Sequence, residues 1–211
     1  MNPYSVFQSV STEQLQALKV CLSGETRSFQ RGEIIIRHTD RNENIGILHK
    51  GLVFLISISE DGETSIIDYY ERGNIFGKGF TPDSDINLYY LTAKEDCEVT
   101  FFPYEKLMNC CEQNCEKHKS MISGIIFHSF RRCQMHIDIL SCRSIRGKIT
   151  AYLRYMRIQK ESDSFELPIS LSDLAGYLSV DRSAMMREIR KMKEEHLIAA
   201  KGSHIQILSH L

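Results

Sequence analysis

The sequence predicts an α+β chain in two parts: a β-rich sandwich or barrel, then helices that end in a small β tail. Three observations predict it. Between about Phe29 and Phe102, short β-branched and aromatic runs alternate with junctions marked by Gly or Asp. After Pro103 the apolar residues recur at helical rather than strand spacing. Near the C-terminus two short helical patterns, separated by three or four residues, precede a Lys-Gly turn between two short β runs.

The elements follow in order. "STEQLQALKVCL" reads as a short helix, with Ser11 as N-cap and Leu15, Leu18 and Leu22 at helical spacing. "RGEIIIRHTD", "NIGILHKG", "LVFLISIS", "TSIIDYY" and "EVTFFP" read as strands. Asp-Gly in "SEDGET" is a hairpin signal, and "HKG" marks a second tight turn. Pro103 closes the β region and "YEKLMNCCEQ" follows as a short helix. In the long helix "CEKHKSMISGIIFHSFRRCQMHIDILS", the residues Met121, Ile122, Ile125, Ile126, Met135, Ile139 and Leu140 form an apolar stripe. Such a stripe serves either an internal core or a dimer seam. A connector between two domains favours the seam.

"SIRGKITAYLRYMRIQ" is amphipathic, with Ile149, Leu153 and Met156 inward. In "SLSDLAGYLSV", Ser170 is the expected N-cap and Asp173 completes a capping box. Asp181 caps "DRSAMMREIRKMKEEHLI". Leu174, Ala175 and Leu178 should pack the first of these two helices. Val180 should lie beneath the turn, and Ala184, Ile189 and Met192 should face the core from the second.

Composition narrows the function. Apolar content of 42% and charged content of 25% suit a globular chain. No apolar run approaches the roughly 20 residues of a membrane span, and the start carries no signal-peptide pattern; a cytoplasmic location is expected. The seven cysteines are odd in number and form no paired framework. Cys110, Cys111 and Cys115 cluster, and they leave a redox- or metal-responsive role as the alternative reading. The net charge of −1 hides an asymmetry. Met1 to Cys142 carries 14 Lys and Arg against 19 Asp and Glu; Arg143 to Leu211 carries 12 against 8. A basic final third on an acidic body points to an anionic partner, nucleic acid first. Two short helices at this spacing form a helix-turn-helix, and a major groove admits one helix. Arg182, Ser183 and Arg187 lie toward its exposed N-terminal end, where Arg can pair with guanine O6 and N7. Arg190 and Lys191 lie further along, where phosphates are the expected partners. Ser170, at the start of the first helix, joins them as a DNA-contact candidate.

In these residues the chain resembles, over nearly its full length, regulators of the cyclic-AMP receptor protein / fumarate-nitrate regulator (Crp/Fnr) family. "LSDLAGYLSVDRSAMMREIRKMKEEHLIAAKGSHIQIL" resembles the family's winged helix-turn-helix. "F.RGEII", "I..GLV", "DGE", "GNIFGK" and "DCEV" resemble its double-stranded β-helix (jelly-roll, cyclic-nucleotide-binding-like) sensor. The resemblance implies an effector-sensing domain over 1–114, a dimerisation helix over 115–141 and a DNA-binding domain over 142–211. It implies a homodimer on a near-palindromic double-stranded operator, contact with RNA polymerase and a small-molecule effector; from the chain's own residues no membrane partner and no resident cofactor are expected. Arg182 and Arg187 match the commoner DNA-reading pattern, while Ser183 stands where many members have Glu.

The sensor departs from the cyclic-nucleotide pattern. Family members that bind cyclic nucleotides resemble "FGE" followed by Arg-Ser. Here Lys78 replaces the Glu, and Asn87-Leu88 takes the Arg-Ser position. A phosphate buried without its arginine is poorly paired, which argues against cyclic AMP. Gly77, Lys78, Phe80, Asn87, Leu88, Tyr89 and Tyr90 remain as candidates to line a pocket for another effector. The family's iron–sulfur sensors carry several N-terminal cysteines, and here only Cys21 lies there. A haem would need axial ligands, and His49 is expected in a turn without a partner. A β-barrel enzyme of the cupin type, the remote alternative, would need a metal-binding cluster, and His38 and His49 stand apart. No enzymatic activity is expected.

Overall fold

The computed structural model describes residues 19, 22–37, 42–79, 88–108 and 116–209. The chain divides into two compact units, Met1–Phe130 and Arg131–Leu211. The first unit contains β1 (Glu25–Phe29), β2 (Ile34–Arg37), β3 (Asn44–Lys50), β4 (Val53–Ile58), β5 (Thr64–Tyr70), β6 (Ile75–Gly77), β7 (Leu88–Ala93) and β8 (Cys97–Pro103). They form two four-stranded antiparallel sheets, ordered β1-β8-β3-β6 and β2-β7-β4-β5. Side chains alternate across a strand, so each sheet offers one face to the other. Leu48, Phe76, Val99 and Phe101 from the first sheet meet Ile36, Val53, Leu55, Leu91 and Ala93 from the second in one buried cluster. Gly46 leaves room for it: a Cβ there would stand 2.7 Å from the Phe76 ring. On the other face of the first sheet, Ile45, Ile47, Ile75 and Phe102 pack with Leu22 and with Leu107 of α1 (Tyr104–Met108).

The Asp-Gly hairpin forms as expected between β4 and β5. The Ser59 carbonyl accepts from Gly62 N–H at 2.9 Å, and Gly62 has φ +80°. The "HKG" turn behaves differently, because β3 and β4 belong to opposite sheets. Gly51 makes that crossing with φ +93°, and a Cβ there would meet the Asp96 carbonyl at 2.5 Å. The β region begins at Glu25, earlier than expected, and contains three strands not read in the sequence, β1, β6 and β7. Nearly all of the first expected helix lies outside the described residues.

The remaining elements are α2 (Glu116–Ser141), α3 (Ile145–Lys160), β9 (Ser164–Glu166), α4 (Leu171–Tyr177), α5 (Arg182–Glu194), β10 (Ile198–Lys201) and β11 (His204–Ile207). Among the described residues no helix is long and apolar enough to cross a membrane. Each unit exposes large apolar side chains from its part of α2: Ile126, Phe127 and Phe130 in the first, Ile137 in the second. Ile139, expected in the apolar stripe, is instead buried. The side chains of Met121, Ile122 and Ile125 lie outside the described residues. In the second unit Ile149, Leu153 and Met156 are buried as their spacing predicts, together with Tyr152.

Candidate nucleic-acid interface

The second unit's exposed cations are placed by two capped helices and the turn between them. Ser170 caps α4: its hydroxyl accepts from Asp173 N–H at 3.1 Å and donates to the Asp173 carboxylate at 2.6 Å. The expected capping box is altered, because Asp173 takes the serine hydroxyl. Ser170 is exposed, but its hydroxyl is committed within the cap. Leu174, Ala175 and Leu178 are buried as expected, and so is Tyr177. The Tyr177 ring stacks on His136 of α2 at 4.0 Å and 5°, and packs edge-on against Tyr152.

The turn runs from Leu178 to Asp181. Ser179 adopts φ +51°, and Val180 N–H reaches the Ala175 carbonyl at 3.0 Å. A left-handed serine is uncommon. The Asp181 carboxylate then accepts from Ala184 N–H at 2.7 Å and starts α5. Lys148 of α3 anchors the turn from below by donating to the Leu178 carbonyl at 2.9 Å.

Met185, Ile189 and Met192 form the buried face of α5. This corrects the expected set: Met185 takes the inner place and Ala184 is half-buried. With 100° per residue, that phase turns Ser183, Arg187 and Arg190 directly away from the core, with Lys191 beside them. Arg182 occupies the first helical position. All five are exposed. Arg182, Arg187 and Arg190 have no hydrogen-bond or ion-pair partner among the described residues. Met186 is 40% exposed beside Arg187.

Two other charges of α5, Lys193 and Glu188, are engaged, and so is Glu195 at its end. Lys193 donates to the Ala200 carbonyl at 3.1 Å and ties the helix to β10. Arg146, near the start of α3, donates from Nε to Glu188 and from both terminal nitrogens to Glu195 at 2.7 Å. These bonds raise the Arg146 pKa and hold the Glu195 carboxyl below its ordinary value. The β tail is three-stranded rather than the expected hairpin, in the order β10-β11-β9. Gly202 turns β10 into β11 with φ +63°. Glu166 of β9 accepts from Ser203 at 2.7 Å and pairs with His204 at 3.2 Å.

The expected effector residues are only partly brought together. Phe80 and Asn87 lie outside the described residues. Gly77 has φ +104°, and a Cβ there would meet the Asn44 carbonyl at 2.5 Å. The Lys78 ammonium donates to the Glu43 carboxylate at 3.2 Å. Tyr89 packs against the core between the sheets. Leu88 and Tyr90 fall on the opposite face of β7, and Leu88 is 54% exposed. His49 lies in β3 rather than in a turn, and it has a partner: Nε2 is 2.7 Å from the Thr100 hydroxyl. Burial lowers its pKa. His38, Cys21, Cys110, Cys111 and Cys115 lie outside the described residues.

Sequence reading missed Arg146, Lys148 and Tyr177, whose roles come from residues 30 to 49 positions away. One signal was present: Glu188 interrupts the basic run of α5 and invites the question of its partner.

Two family models match the chain. The cyclic nucleotide-binding domain matches residues 26–114, and the Crp-like helix-turn-helix domain matches residues 147–210. The cAMP-activated global transcriptional regulator CRP of Pasteurella multocida is 21% identical over 82% of this chain and 85% of its own length. The transcriptional activator protein Anr of Pseudomonas protegens is 22% identical over 95% of this chain and 83% of its own. Among solved structures, a CooA mutant from Carboxydothermus hydrogenoformans superposes with a TM-score of 0.76 at 13% identity, covering 99% of this chain and 92% of the other.

Proposed function

The chain belongs to the Crp/Fnr family of transcriptional regulators, and from that premise we propose that it is a cytoplasmic homodimer reading a near-palindromic operator under the control of a small molecule other than cyclic AMP. In this reading Arg182, Ser183 and Arg187 contact base edges in the major groove, and Arg190 and Lys191 contact phosphates. The observation that carries it is the unpartnered state of the exposed Arg182, Arg187 and Arg190 on a capped helix in which Lys193 and Glu188 are engaged. A folded domain that leaves three arginines without partners on one helix keeps them for an external anion.

The exposed Ile126, Phe127, Phe130 and Ile137 of α2 support a dimer seam, since their separations of three, four, seven and eleven residues suit a helix pair. The boundaries at 114/115 and 141/142 belong to this reading, with the middle segment as the dimerising element. Against cyclic AMP stands Lys78, whose ammonium is directed to Glu43 where the nucleotide-binding pattern has a Glu for the ribose. The Pasteurella relative is cAMP-activated by name; the replaced cassette separates this chain from it. Contact with RNA polymerase completes the role, and the protein acts by binding rather than by catalysis.

The test is selection of binding sites from random duplexes, with sedimentation of the free protein. The expected result is a two-half-site operator whose half-sites lie about one helical turn, roughly 34 Å, apart, and a dimer at micromolar concentration. A monomer that enriches no sequence would overturn the reading.

A further inference from the structure

Arg146 occupies a position that its own helix disfavours. It is the second residue of α3, where the helix dipole opposes a cation, and Glu195 is the C-cap of α5, where the dipole opposes an anion. Each placement is unfavourable alone, and the two meet in a bidentate pair with both N–O distances at 2.7 Å. The remaining guanidinium donor, Nε, reaches Glu188, whose side chain is only 19% exposed. Glu188 and Glu195 are seven residues apart, two turns along one side of α5, about 10 Å. One planar fork therefore grips the middle and the end of the helix at once. A guanidinium suits this, because its donors have fixed directions and a lysine has a single charged nitrogen.

The grip also changes what the helix presents. From Arg182 to Glu195 the chain carries five cations and three carboxylates. Arg146 pairs with two of the three, and its single positive charge offsets one of their two negative charges. It pulls them to the side facing α3, away from the direction in which Ser183, Arg187 and Arg190 point. Without it, two carboxylates would sit unpaired on a helix that has to approach a polyanion.

Building on the reading of α5 as the DNA-reading helix, we propose that Arg146 is a positioning residue for sequence discrimination: it sets the rotation of α5 about its axis and offsets part of the charge of Glu188 and Glu195. The two roles separate by substitution. Arg146→Lys keeps the charge and loses the fork. Glu188→Gln with Glu195→Gln removes the negative charge and also loses the fork's ionic grip. Arg146→Ala loses both charge and grip.

The experiment measures affinity of the full-length variants for the selected operator and for a random duplex of equal length. Arg146→Lys should bind random duplex within about twofold of the wild type, while its operator-to-random ratio falls about tenfold. The double Gln variant should bind random duplex more tightly than the wild type and also lose discrimination. Arg146→Ala should weaken binding to both duplexes, and adding the two Gln substitutions should restore the random-duplex affinity. That rescue distinguishes charge compensation from simple unfolding. A wild-type ratio in both Arg146→Lys and the double Gln variant would overturn the positioning role alone. A wild type that treats all duplexes alike would overturn the reading of α5 and this role with it.

Discussion

The two units place their cations differently. In the β unit Arg27 pairs with Glu25 at 2.8 Å and lies over the Phe101 ring, Lys78 pairs with Glu43, and Lys94 sits over Phe54 at 4.9 Å. In the helical unit Arg146 and Arg157 are likewise engaged, but the exposed Arg182, Arg187 and Arg190 of one helix are left without partners among the described residues. A count of charges already favours the helical unit, since Arg143 to Leu211 carries 12 Lys and Arg against 8 Asp and Glu while the rest of the chain is acidic. Exposed cations without side-chain partners among the described residues occur in the β unit too, Arg31, Lys50 and Arg72 among them, but they are not gathered on one helix as Arg182, Arg187 and Arg190 are, and a paired surface cation has little left to offer a phosphate.

The sharpest way to break the comparison is to disturb one unit and read the other. Phe76 is fully buried between the sheets, touching Tyr70 and Phe101. Phe76→Ala should cost the β unit about 3–5 kcal/mol, seen as a lower melting transition. Discrimination between operator and random duplex at a temperature where both units remain folded should be unchanged. A parallel loss of discrimination would mean that the α5 surface depends on the β core.

Next in size is the cap of α5. Asp181→Ala removes the acceptor for Ala184 N–H and should cost about 1 kcal/mol. It should also weaken operator binding, because the cap holds the first turn that carries Arg182 and Ser183. Asp181→Asn, which keeps an oxygen acceptor, should retain most of the stability. Equal loss in both variants by thermal melting would assign the effect to charge rather than to the cap.

How much of this the sequence disclosed depends on how local each signal is. Asp181, Ile189, Met192 and the turn at Val180 lie within one short stretch and obey capping and spacing rules, so α5 and its outward face were legible. The sandwich was legible from β-branched runs, and the Asp-Gly hairpin from its turn residues. Strands β6 and β7 were not, because a three-residue strand carries no period and β7 alternates between two partly buried faces. The crossing at Gly51 looked like a hairpin, because a tight turn does not say which sheet its strands join. On α2 apolar residues occupy more than one face, so their spacing did not single out Phe127, Phe130 and Ile137. Arg146 was invisible, because its partners follow 42 and 49 residues later.

His49 offers a smaller, pH-dependent contrast within the β unit. Burial is the main cause that lowers its pKa below the ordinary 6.5, outweighing the opposing charge of Glu98. The folded state therefore binds its proton less readily than the unfolded chain. Its contribution to stability is complete above pH 6.5 and is lost as pH falls through the folded-state value. The melting temperature of the wild type should drop as pH falls from 6.5 to the folded-state value, and His49→Gln should flatten the drop. An unchanged profile in the variant would place the acid sensitivity elsewhere.

The smallest expected effect is none. Millimolar cyclic AMP should leave the melting temperature where it is. A ligand held by the folded state alone at 100 times its Kd would add about 2.7 kcal/mol, and a rise of that order would contradict the role given to Lys78 and Asn87-Leu88.

The central claim is that the unpartnered arginines of α5 read bases, and binding to a panel of single-base operator variants tests it most directly. Arg182→Ala and Arg187→Ala should each cost about 1–3 kcal/mol on the selected operator. The loss should nearly vanish on the variant altered at the matching base pair, where the contact is already absent. Arg190→Ala should weaken all duplexes alike and lower the salt slope by about one unit, and Arg27→Ala, in the β unit, should change nothing. If Arg182→Ala and Arg187→Ala instead lower affinity equally on every variant, these arginines hold only the phosphate backbone and the account of α5 as a base-reading helix is contradicted.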